Sequence, residues 1–182
     1  MSDNYSANRI VLVGFPGAGK TTIAKSLAKI LNYKFIDLDQ EVEKHFHTTI
    51  SIFIQKYGED VFRKCEHALL KEILLSDNCV ISTGGGTPCF HNAMDLINAT
   101  SLSVYIKMSK ASLHTRLTYA KKKRPLVQEH EDGDLMTYIE TTLSVREEVY
   151  NQAAIIAKGE SINVRELAQT IKINDKERIE EI

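Results

Sequence analysis

The 182-residue sequence predicts a three-layer α/β/α fold around a five-stranded parallel sheet. Two patterns lead to it. Short apolar runs of strand length recur at 9–13, 33–36, 79–82, 102–106 and 153–157. Helical patterns lie between them at 20–31, 60–75, 91–97, 110–120 and 135–150, and a last one at 164–173 runs on into a charged tail. Strands that alternate with helices argue for parallel pairing with helices on both faces. A third observation locates a ligand, because the first apolar run leads directly into a glycine-rich turn.

That first strand, Ile10-Val11-Leu12-Val13, is apolar throughout, which suits a buried position. It enters Gly14-Phe15-Pro16-Gly17-Ala18-Gly19-Lys20-Thr21, a P-loop, and a helix opens with Thr21-Thr22-Ile23-Ala24. Backbone N–H groups of such a turn point inward at an anion, and the helix dipole adds positive potential there. Glycines are needed because a Cβ would hold the backbone away from phosphate oxygens. Gly17, Ala18, Gly19, Lys20, Thr21 and Thr22 are the expected nucleotide-binding residues. Lys20 would reach the β- and γ-phosphates, and Thr21 would offer its hydroxyl to Mg2+.

In a parallel α/β sheet ligands gather at the carboxyl ends of the strands, so the residues after each strand carry weight. The second strand leads into Asp37-Leu38-Asp39. If the chain stays extended there, its period of two puts both carboxylates on one face near Lys20 and Thr21. The third strand, Cys79-Val80-Ile81-Ser82, carries no aspartate. Asp37 is then the natural outer carboxylate for Mg2+, and Asp39 can orient or deprotonate an acceptor hydroxyl. The competing reading is an N-cap for a helix beginning Gln40-Glu41-Val42.

Arg63 and Glu66 share a face of the helix at 60–75, where the ordinary reading is a surface ion pair. Gly84-Gly85-Gly86 follows the third strand. Three glycines cost chain entropy, so either a ligand lies against them or the strand exit is tight. Lys121-Lys122-Lys123-Arg124-Pro125-Leu126 reads by itself as a solvated face or a nucleic-acid patch and, in a kinase of this size, as a lid. Such a lid would close Arg124 over the phosphates and exclude water. Arg146, in the helix at 135–150, reads by itself as a surface residue. His45-Phe46-His47 has no further Cys or His at ligand spacing, so no zinc site is expected.

Taken in order, the P-loop, Asp37-x-Asp39, Phe62-Arg63-x-x-Glu66, Gly84-Gly85-Gly86, Arg124-Pro125-Leu126 and Arg146-x-x-x-Tyr150 resemble the shikimate kinase family. The match runs from about Ile10 to Ala157. The resemblance implies a P-loop NTPase fold of the nucleoside-monophosphate-kinase kind, with strand order 2-3-1-4-5. It also implies phosphorylation of shikimate at its 3-hydroxyl by ATP with Mg2+, on the route to chorismate and the aromatic amino acids. Asp39 would bind the ring hydroxyls and position the 3-hydroxyl. Arg63 and Arg146 would hold the shikimate carboxylate, with Glu66 fixing Arg63, and Gly84, Gly85 and Gly86 would lie against the same substrate. Arg124 would descend with the lid onto the transferring phosphate, and Arg116 would stack on adenine. Lys20, Asp39 and Arg124 would be the catalytic set, with Thr21 and Asp37 at the metal. The substrate-binding region would span about 38–66 and the lid about 117–134. Thr87-Pro88 depart from the small and aliphatic residues usual after the glycines, and could reshape the substrate loop.

Composition bounds the rest. A 43% hydrophobic and 26% charged chain of this length reads as one soluble domain, 1–182. The formal net charge of −1 provides no field for nucleic acid or an anionic membrane. Cys65, Cys79 and Cys89 have no C-x-x-C spacing and read as reduced thiols. The polar start Ser2-Asp3-Asn4-Tyr5-Ser6 does not read as a signal peptide, and a cytoplasmic monomer is the expectation. Gluconate kinases and nucleoside monophosphate kinases share the P-loop and lid but not Arg63, Glu66 and the glycine triplet in this arrangement. A regulatory GTPase lacks support, because no Asp-x-x-Gly or Asn-Lys-x-Asp motif is present.

Overall fold

The computed structural model describes residues 8–120 and 135–180, with side chains described as far as residue 173. Five parallel strands make one sheet: β1 Arg9–Val13, β2 Lys34–Asp37, β3 Cys79–Ser82, β4 Leu102–Lys107 and β5 Ile155–Lys158. Their spatial order is β2-β3-β1-β4-β5, as the resemblance implied. Ile10, Val11, Leu12 and Val13 of the central strand are fully buried, which explains the uninterrupted apolar run. Edge strand β5 alternates half-buried and exposed residues instead.

The helices are α1 Lys20–Leu31, α2 Leu38–Phe46, α3 Ile50–Tyr57, α4 Glu59–Ile73, α5 Ala93–Thr100, α6 Lys110–Thr118, α7 Leu135–Tyr150 and α8 Val164–Glu180. A short 3-10 turn, Thr87–Cys89, follows the glycine triplet. Two helices, α2 and α3, were not among the expected elements. Each has a side-chain cap: Asp37 accepts from the Gln40 amide, and the Thr49 hydroxyl oxygen accepts from the Ile52 amide. Gly58, at φ 84°, then separates α3 from α4. α5 begins two residues later than its apolar pattern suggests, since His91 and Asn92 both sit in the left-handed region. β5 also starts late, because the Ala153 amide donates back to the Tyr150 carbonyl and Ala154 to the Ser103 hydroxyl.

At the amino ends of the strands, opposite the glycine-rich turn, Arg9 joins three segments. Its Nε donates to the Ser76 carbonyl at 2.7 Å, Nη1 to the Thr100 carbonyl at 2.8 Å and Nη2 to Asp77 at 2.8 Å. The Thr100 carbonyl is one that α5 cannot satisfy internally. We expect Arg9→Ala to lower the unfolding free energy by about 2 kcal/mol, read from the urea midpoint. Nucleotide affinity should not change; an unaltered midpoint would mean that the three contacts contribute nothing.

Candidate active site

The register of the sheet brings the chemistry together. Asp37 lies opposite Ser82, and Ser82 opposite Leu12, so three strand ends stand level beside the P-loop. The Thr21 hydroxyl donates to Asp37 Oδ2 at 2.9 Å and lies 3.3 Å from the Ser82 hydroxyl. Gly17, Gly19, Lys20, Thr21, Thr22, Asp37, Asp39, Ser82 and Thr83 line a cavity of about 150 Å³ there. Lys20 is 4% exposed, and its ammonium donates back to the Gly14 and Phe15 carbonyls at 2.7 and 3.0 Å. No acidic residue occupies the first turn of α1 to offset the dipole at this end. A larger apolar cleft of about 460 Å³, walled by Phe46, Phe53 and Tyr57, lies among α2, α3 and α4 but presents no acid or phosphate-directed backbone.

The extended alternation expected at Asp37 and Asp39 is not adopted. β2 ends at Asp37, which turns the chain by capping α2 while its other oxygen takes the Thr21 hydroxyl. The capping alternative therefore holds for Asp37. Asp39 stands in the first turn of α2 and reaches the cavity from the helix.

Arg63 and Glu66 are not a surface pair. They are 4% and 2% exposed, and Arg63 Nη1 donates to Glu66 Oε2 at 2.8 Å. Glu59, one turn earlier, takes the Nε and Nη2 protons on Oε1 at 3.1 and 2.9 Å. Burial by itself would lower the Arg63 pKa, but Glu66 and Glu59 more than offset it and the pKa is raised. The guanidinium carbon lies 4.9 Å from the Phe62 ring centre and 4.6 Å from that of Phe90. Of five N–H donors, described residues engage three, leaving one on each terminal nitrogen, a fork suited to a carboxylate.

The glycine triplet is needed for space, since none of its members has a positive φ. A Cβ at Gly86 would lie 2.5 Å from Arg63 Nη2. One at Gly84 would lie 2.8 Å from Asp39 Oδ1, 2.9 Å from Thr87 Oγ1 and 3.2 Å from Glu66 Oε1. One at Gly85 would collide with the Pro16 ring, so the two loops are in direct contact. Tyr150 of α7 donates its hydroxyl proton to the Gly85 carbonyl at 2.6 Å, and Arg146 works against the rise that burial gives its pKa. Burial raises the Cys89 thiol pKa, and the charges of Arg146 and Arg63 offset this only in part.

α6 lies over the P-loop. Arg116 Nη1 is 3.4 Å from the Ala18 carbonyl, and Leu117 would meet a Cβ at Gly17 at 3.1 Å. Arg124, and the lid expected at 117–134 from residue 121 onward, lie outside the described residues. The sequence reading missed Glu59, Ser82, Phe90, the Thr87–Glu66 contact and the Tyr150–Gly85 contact. Only Glu59 left a local signal, as an acid four residues before Arg63.

Comparisons with known proteins give the family and the fold. The family model described as shikimate kinase matches residues 16–174. A shikimate kinase of Bacteroides thetaiotaomicron is 41% identical over 157 residues, covering 86% of this chain and 90% of that protein. The crystal structure of shikimate kinase from that organism superposes with a TM-score of 0.81 at 39% identity, covering 94% of this chain and 98% of the other. Shikimate kinase from Acinetobacter baumannii in complex with shikimate gives a TM-score of 0.81 at 31% identity, covering 93% and 92%.

Burial raises the pKa of Tyr105 and of Tyr150, so the folded protein holds both protons more tightly than the unfolded chain does. Their contribution to stability is complete below the unfolded value of about 10 and is lost as pH rises beyond it. Of the seven tyrosines, these two should ionise only with unfolding in an alkaline absorbance titration. Ionisation of all seven in the folded protein would contradict this.

Proposed function

The chain belongs to the shikimate kinase family, and from that premise we infer that it transfers the γ-phosphate of ATP to the 3-hydroxyl of shikimate. It is an ATP-dependent small-molecule kinase, a transferase of the pathway to chorismate and the aromatic amino acids. The observation that carries this reading is the contact of the two loops. An anion cradle at the start of α1 adjoins a carboxylate-reading arginine, with Asp39 between them.

In the proposed mechanism the amides of Gly17, Gly19, Lys20, Thr21 and Thr22 receive the ATP phosphates, together with that of Ala18, which also donates to the Phe15 carbonyl. Lys20 exchanges the carbonyls of Gly14 and Phe15 for β- and γ-phosphate oxygens. Thr21 and Asp37 offer a hydroxyl and a carboxylate oxygen, hard donors that fit Mg2+ alongside phosphate oxygens and water. Bound there, Mg2+ would neutralise charge that develops on the β- and γ-oxygens.

Shikimate would lie with its carboxylate on the Arg63 fork and on Arg146, which has no described carboxylate within ion-pair distance. Glu66 keeps Arg63 in place, and Gly84, Gly85 and Gly86 let the substrate approach the backbone. Asp39 accepts hydrogen bonds from the ring hydroxyls and aims the 3-hydroxyl oxygen at the γ-phosphorus. The bond from phosphorus to the β,γ-bridging oxygen breaks as the new one forms, and Asp39 takes up the hydroxyl proton. Arg116 would face adenine, and Arg124 would meet the transferring phosphate when the lid at about 117–134 closes.

The whole chain, 1–182, is proposed to act as one domain, with about 38–66 as its substrate-binding region. A cytoplasmic monomer without nucleic-acid or membrane partners accords with the net charge of −1 and with three unpaired cysteines. No described helix is long and apolar enough to cross a membrane.

The test measures ADP formation with Mg2+ and shikimate, gluconate or AMP as acceptors. We expect turnover with shikimate alone, abolished by chelation of the metal. Asp39→Asn should lower kcat by about a hundredfold or more. Arg63→Ala should raise the shikimate KM while leaving the ATP KM near its original value. Turnover with gluconate or AMP in place of shikimate would overturn the acceptor assignment.

A further inference from the structure

Against the buried Glu66 carboxylate stands the hydroxyl of Thr87. Thr87 is 2% exposed and donates its hydroxyl proton to Glu66 Oε1 at 2.7 Å. Glu66 Oε2 is the oxygen that holds Arg63. Thr87 Oγ1, Glu66 Oε1 and Asp39 Oδ1 all lie within 3.2 Å of one point, the place a Cβ of Gly84 would fill. The two carboxylates therefore border the same space, and Thr87 donates to that of Glu66. The turn Thr87–Cys89 fixes that hydroxyl, since Pro88 stiffens it and the Cys89 amide donates to the Gly86 carbonyl.

We propose that Thr87 is a positioning residue for the acceptor substrate: its hydroxyl fixes the rotation of the Glu66 carboxylate, and thereby the angle at which Arg63 presents its fork. The proposal rests on the reading that Arg63 receives the shikimate carboxylate. A buried carboxylate oxygen needs a donor. With Thr87 in place, Oε1 is occupied and Glu66 meets Arg63 through Oε2 alone. Without it, the carboxylate rotates toward whichever donors remain, and Arg63 follows through its buried ion pair. The effect falls on the carboxylate end of the substrate, while the P-loop, reached through Gly85 and Pro16, keeps its geometry.

The pair Thr87→Val and Thr87→Ser tests this. Valine keeps the shape and removes the donor; serine keeps the donor. We expect Thr87→Val to raise the shikimate KM about tenfold, with the ATP KM within twofold of the parent and an unchanged circular dichroism spectrum. Thr87→Ser should restore the shikimate KM to within about threefold. A valine variant with an unaltered shikimate KM would overturn the proposal. So would equal losses for both substrates, which would mark a general structural defect. If the valine variant does not fold, the serine variant decides: a tenfold rise in shikimate KM there also overturns it. Failure of the parent protein to phosphorylate shikimate would remove the underlying reading first, before any variant is compared.

Discussion

A guanidinium that keeps 4% of its surface in water must have its charge matched by neighbours, and Arg63 imposes that requirement on everything around it. Two carboxylates answer it, one buried and one at the edge, and two aromatic rings cover the planar cation. The same requirement reaches the loop after β3. Gly86 must lack a side chain because the cation occupies that volume, and Gly84 must lack one because three oxygens converge there. A buried ion pair of this kind adds little net stability, since desolvation consumes most of the attraction. What it provides is a fixed orientation of the guanidinium.

The nucleotide half of the site has a different physical basis. Its positive potential comes from backbone amides and the axis of α1, with the Lys20 ammonium folded onto its own loop. The parallel register of β2, β3 and β1 makes the two halves meet. Levelling the strand ends puts Thr21, Asp37 and Ser82 within one cluster of hydroxyl and carboxylate oxygens. One half is organised by side-chain charge and the other by main-chain dipoles, and Asp39 stands between them.

How much of this was legible depended on the range of the interaction. β1, α1 and β3 have the limits that their patterns suggest, because apolar runs and the P-loop are local signals. α2 was obscured because Asp37-Leu38-Asp39 alternates like a strand, and only the capping bond of Asp37 decides otherwise. The need for three glycines was visible, but not its cause, since Pro16 and Arg63 approach from 69 and 23 residues away. Thr87 looked like a departure after the glycines because its partner, Glu66, stands 21 residues earlier. Contacts between distant segments leave no period in the chain, so burial of the Arg63–Glu66 pair had to come from the fold.

Gly85 is gripped from two directions, by the Pro16 ring against its Cα and by the Tyr150 hydroxyl on its carbonyl oxygen. Three segments far apart in the chain therefore share one degree of freedom. In evolutionary terms, position 85 cannot drift toward a larger residue unless position 16 retreats in the same lineage. Nor can α7 change its tilt without carrying the glycine loop along. The loop that faces the acceptor is thus tied to the loop that faces the nucleotide, and a displacement of either is felt by the other.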